Sequence, residues 1–74
     1  MEREDRSLRV AGEVRALLAR RQLSGKQLAA RLGISQFSVS RRLRGQVPFS
    51  IDELAVAAEF LGVELGDLLA ERAA

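Results

Sequence analysis

Residues 24–44, SGKQLAARLGISQFSVSRRLR, carry two helix starts and one forced reversal in a single short run. Ser24 can accept from the free N–H groups of a helix start, and Gln27, three residues on, supplies the reciprocal half of a capping box. The first helix is expected to end at Gly33. A chain that reverses within three or four residues needs one position at positive φ, and glycine reaches it without steric cost. Ser35 then caps a second helix. Ile34 just ahead of it is spaced to staple onto Val39, as Leu23 is onto Leu28.

The spacing within this run is specific. Ala29 stands four residues before the glycine, where two steeply crossed helices leave room for a methyl group, and Val39 stands six after it, facing the same core. Together with Leu28, Leu32 and Ile34, these positions resemble the helix-turn-helix signature. More narrowly they resemble the Cro/repressor-type (XRE) family of DNA-binding domains, with the similarity continuing through Gly45 to about residue 70. One position departs from that pattern. The family carries an apolar residue three positions after the buried valine, whereas this chain has Arg42 there and Leu43 one position later. Leu43 still shares the face of Val39, four residues back.

Outward from the pair, residues 1–6 alternate acids and arginines without an apolar partner and are expected to be disordered, leaving residues 7–74 as a single domain. Val10, Val14, Leu17 and Leu18 trace one face of an amphipathic helix from Ser7 to about Arg21. On the other side, Gly45 ends the second helix of the pair and Pro48 forbids its continuation. Ser50 and Glu53 form another capping box, with Phe49 spaced to staple onto Leu54. Leu54, Ala57, Ala58 and Leu61 carry a buried face to Gly62, and a last helix runs from Leu65 to about Arg72. The pattern predicts an all-α fold, a compact bundle of about five short helices; the resemblance makes it lambda-repressor-like.

Composition excludes several chemistries. With no cysteine and no histidine, the chain offers no disulfide framework, thiol nucleophile or zinc finger. Asp52 and Glu53 are adjacent on a helix and point about 100° apart, so they read as first-turn acids rather than as a catalytic pair. No enzymatic activity, cofactor, metal or small-molecule substrate is expected. No apolar run approaches the length of a membrane span, and the charged start MEREDRS has no apolar signal region behind it, so a cytoplasmic location is expected.

The net charge of +2 conceals a sharp segregation. Between Val14 and Ile51 there are eight basic residues and no acid, while from Asp52 onward six acids face the single Arg72. One sign confined to the helix pair is the footprint of a surface that meets phosphates.

The resemblance implies that the helix from Gln36 to Arg44 enters the major groove of double-stranded DNA while the preceding helix crosses the backbone. Gln36, Phe37, Ser40 and Arg41 are then the candidates for base contact. The amide of Gln36 suits adenine, the fork of Arg41 suits guanine, and Phe37 either covers a thymine methyl or packs within the protein. Ser24, Lys26, Ser35, Ser38, Arg42 and Arg44 are the candidates for phosphate contact, which positions without specifying. The family often has a phosphate-anchoring glutamine as the second residue of the helix before the turn; here it is Gly25. A transcriptional regulator follows, most like a small phage-type Cro or repressor, binding a (pseudo)palindromic operator as a homodimer. Leu61, Val63, Leu65, Leu68 and Leu69 are open to either of two roles, dimer interface or closure of the core. An antitoxin that binds its own promoter and a protein-interaction module on the same scaffold are the alternatives.

Overall fold

Three serine caps and a small set of left-handed residues divide the chain. Ser24, Ser35 and Ser50 each accept the backbone N–H three residues on, at 3.1, 3.0 and 3.0 Å. Gln27 and Glu53 complete their capping boxes by accepting from the N–H of Ser24 and Ser50. The computed structural model describes residues 2–70, with side chains from Arg6 onward. Among these, five helices follow one another: α1 (Glu2–Arg20), α2 (Gly25–Leu32), α3 (Gln36–Leu43), α4 (Ile51–Leu61) and α5 (Leu65–Leu69). No strand occurs among the described residues.

The apolar faces of these helices converge. Val10, Val14, Leu17 and Leu18 from α1 meet Leu28 and Ala29 of α2, Val39 of α3, Leu54, Ala57, Ala58 and Leu61 of α4, and Leu68 of α5. Ala11, which the apolar spacing of α1 does not single out, is fully buried as well. α2 packs on α3 and α4, and α1 spans α3, α4 and α5. Leu23, Ile34 and Phe49, the residues spaced to staple the helix starts, are half-buried against this core. Leu61 and Leu68 close the core and Val63 and Leu65 pack on its edge, while Leu69 stays 40% exposed.

Two boundaries differ from the sequence expectation. The backbone is helical from Glu2, five residues ahead of the expected start at Ser7. Apolar periodicity marks a helix only where one face is buried, so a stretch without an apolar face gives no such signal. At the other end, α5 stops at Leu69 because Ala70 is extended (φ −64°, ψ 135°); Arg72, where the helix was expected to end, lies outside the described residues. The end of α1, at Arg20, agrees with the expected end near Arg21 and is made without a glycine. Gln22 takes φ 58°, and the Leu23 N–H reaches back to the Leu18 carbonyl at 2.8 Å, the six-to-one bond of a Schellman turn.

Gly33 and Gly45 both need positive φ, 72° and 77°, but their surroundings differ. A methyl on Gly33 would meet nothing within 4 Å, whereas on Gly45 it would lie 2.5 Å from Leu8 Cδ2 and 3.3 Å from Leu8 Cα. Gly33→Ala is therefore expected to cost about 1–2 kcal/mol from backbone strain alone. Gly45→Ala should cost more, and Leu8→Ala should recover part of the excess in the double variant. Melting curves of the three variants and the double variant check this; equal costs at the two glycines would contradict it.

Candidate nucleic-acid interface

The orientation of α3 follows from its two apolar residues. With about 100° per residue, seating Val39 and Leu43 on the core points Phe37 and Arg41 outward. The same rotation puts Gln36 and Ser40 on one flank, and Ser38 and Arg42 on the other. The structure has this arrangement, with Val39 at 1% exposure and Phe37 at 70%. The sequence candidates consequently separate into three groups.

On the outward ridge, the guanidinium carbon of Arg41 lies 5.9 Å from the centre of the Phe37 ring. On the first flank, Gln36, Ser40 and Arg44 face Gly25 and Lys26 at the start of α2 and Arg15 of α1, around a cleft of about 480 Å³. The start of α2 carries the positive end of its dipole and no acid in its first turn, and the cleft is lined by three basic residues and no acid. A Cβ on Gly25 would sit in ordinary contact, 3.6 Å from Leu43 Cδ1 and 3.8 Å from Val39 Cγ1. A side chain is sterically acceptable there, and its absence leaves the backbone at the helix start accessible.

The second flank turns inward. Arg42 Nε donates to Glu53 Oε1 at 3.0 Å and its Nη1 donates to the Ser38 carbonyl at 3.1 Å, with both charged side chains about one-fifth exposed. Arg42 was a phosphate candidate from sequence; here its guanidinium pairs with Glu53 of α4. Its stem occupies the place where the family carries an apolar residue, and the head finds a counter-ion across the gap. Burial opposes ionisation of the Glu53 carboxyl, but the Ser50 N–H and the Arg42 guanidinium outweigh it and hold the pKa below the ordinary value. One carboxylate oxygen thus caps α4 and ties it to α3.

Two serines are likewise engaged within the chain. Ser24 and Ser35 use their hydroxyls as helix caps, and Ser35 also donates to the Ser38 hydroxyl at 3.1 Å. Lys26 and Arg44, by contrast, are exposed and make no side-chain hydrogen bond or ion pair among the described residues.

Sequence reasoning missed what two arginines of the first helix region do. Arg15 donates to the Leu43 carbonyl at the end of α3, and Arg21 Nε donates to the Leu61 carbonyl at the end of α4, at 2.5 Å. Each places a cation where a helix terminus leaves carbonyls without intrahelical partners. Arg21, just past the end of α1, is thus tied to α4. A basic residue on α1 reveals nothing in sequence about which distant helix end it reaches.

Helix, glycine turn, second helix with an exposed basic ridge, and supporting helices behind define a DNA-binding helix-turn-helix domain. Comparison with known families matches residues 14–68 to the helix-turn-helix family, and the chain belongs to it, in its Cro/XRE branch. It is a family of DNA-binding regulatory domains rather than of enzymes. No curated protein and no solved structure gives a significant match. Among the described residues, no helix is long and apolar enough to cross a membrane.

The Arg42–Glu53 tie generates a pH-dependent expectation. Glu53 has a depressed pKa in the folded state, so its contribution is present above the unfolded value, near 4.5, and is lost as pH falls through the folded value. Glu53→Gln keeps the capping box but removes the charge facing Arg42. It should destabilise by about 1 kcal/mol at neutral pH, and the difference from wild type should vanish in acid. Denaturant titrations at pH 7 and pH 3 measure both; a pH-independent difference would contradict the assignment.

Proposed function

We propose that the protein is a sequence-specific repressor of transcription of the Cro type, reading the major groove of duplex DNA with α3 and binding a (pseudo)palindromic operator as a homodimer in the cytoplasm. The observation that carries the reading is the exposed ridge of Phe37 and Arg41 beside an electropositive cleft, on a helix whose inner face is locked to the core. Arg41 and Gln36 read base edges, with Ser40 beside them. Lys26, Arg44 and the backbone at the start of α2 hold phosphates, joined by Ser38 through its hydroxyl. Asp52, Glu59, Glu64 and Asp67 are all exposed on the α4–α5 side, where phosphate repulsion turns that side away from the duplex.

A homodimer follows from geometry, since one recognition helix spans few base pairs and two copies on a two-fold site read half-sites about 34 Å apart. The substitutions Arg41→Ala and Arg44→Ala separate the roles. Arg41→Ala should relax sequence preference along with affinity, with a loss of about 1–3 kcal/mol for the base it reads. Arg44→Ala should weaken all duplexes alike and flatten the log–log salt dependence by about one unit from a starting slope of about −5 to −7. Binding titrations at several salt concentrations measure both. A flat salt dependence in the wild type, as for a partner docking on leucines, would exclude the proposal.

A further inference from the structure

Phe37, at 70%, has the highest exposure of the large apolar side chains exposed among the described residues, and leaving it in water contributes nothing to folding. Its ring meets Arg41, one turn on, whose guanidinium carbon lies 5.9 Å from the ring centre, within cation–π range. The form of that contact matters. A cation–π contact is made with the ring's π electrons and takes up none of the guanidinium N–H donors. The ring can therefore restrain Arg41 while leaving its fork free, and the Arg41 side chain makes no hydrogen bond or ion pair among the described residues.

Resting on the reading of α3 as the recognition helix, we propose that Phe37 and Arg41 act as one reader of a two-base step, a C5-methylated pyrimidine next to a guanine. In unmodified DNA that step pairs thymine with a neighbouring guanine; in methylated DNA, 5-methylcytosine serves equally. Guanine O6 and N7 are two acceptors side by side and match the fork, while the C5 methyl is the apolar group on the major-groove edge of thymine. Successive bases on a strand are about 3.4 Å apart, so a methyl beside the guanine contacted by Arg41 falls within reach of the Phe37 ring one turn back. Unmodified cytosine presents no such methyl. Its amino donor would face a cation and an apolar ring, so it is the base this pair disfavours.

The test begins with selection of the preferred site from a pool of random duplexes. At the pyrimidine of the guanine step, replacing thymine by uracil removes only the methyl. Wild type should lose about four-fold in affinity, the value for one methyl taken out of contact. Replacing cytosine by 5-methylcytosine at the same position should strengthen binding by a similar factor. Phe37→Ala should erase both differences with an unchanged melting curve, because the side chain is exposed. Equal binding of thymine and uracil duplexes by the wild type, or a uracil effect that survives in Phe37→Ala, overturns the paired role and leaves DNA recognition by α3 standing. No duplex binding at low salt removes that recognition and the proposal together.

Discussion

The left-handed turn at Gly33 is the constraint on which the arrangement of α3 depends. Gly33 at φ 72° sends its N–H back to the Ala29 carbonyl at 2.8 Å, and the Ile34 N–H shares that acceptor at 3.2 Å. Two bonds to one carbonyl fix where α2 stops and the direction in which Ser35 starts α3. The small Ala29 and the branched Val39, both buried, then set how closely the two helices approach. Rotating α3 by one residue would bring Ser40 to the place of Val39 and carry Phe37 and Arg41 off the ridge. The outward face is therefore a consequence of what the inward face must bury.

The basic residues of the middle segment have different fates. Arg15 and Arg21 serve the terminal carbonyls at the ends of α3 and α4, Arg42 faces Glu53, and Arg31 lies over the half-buried Phe60 ring at 5.1 Å. Arg41, Arg44 and Lys26 remain directed outward around the ridge and the cleft. A charge count along the chain treats these as one block, and the tertiary structure sorts them by which acceptor each can reach. The inward group holds the frame of α3 in place from three sides: α1 through Arg15, α4 through Arg42, and the core through Val39 and Leu43. A reading surface needs that rigidity, because a base contact made by a loosely held helix loses its geometric selectivity.

Much of this was legible in local sequence. The serine caps, the reciprocal Gln27 and Glu53, the turn at Gly33 and the apolar periodicity of α2 and α4 all depend on residues within one or two turns of each other. The start of α1 was not legible from apolar periodicity, because Glu2 to Arg6 provide no apolar face and are helical all the same. Arg42 shows the same limit at the site. Its spacing marked it as surface cation, while its counter-ion comes from a helix eleven residues away.

The sequence by itself determined the helix boundaries around the turn, the face that α3 buries and the family to which the chain belongs, since each is set by short-range capping and periodicity. Only the tertiary structure decided which arginines pair within the chain and which point outward, that Leu8 lies over Gly45, and that Gly25 opens a cleft instead of filling it. Those outcomes turn on distances between helices, and such distances are set by the packing of the whole core.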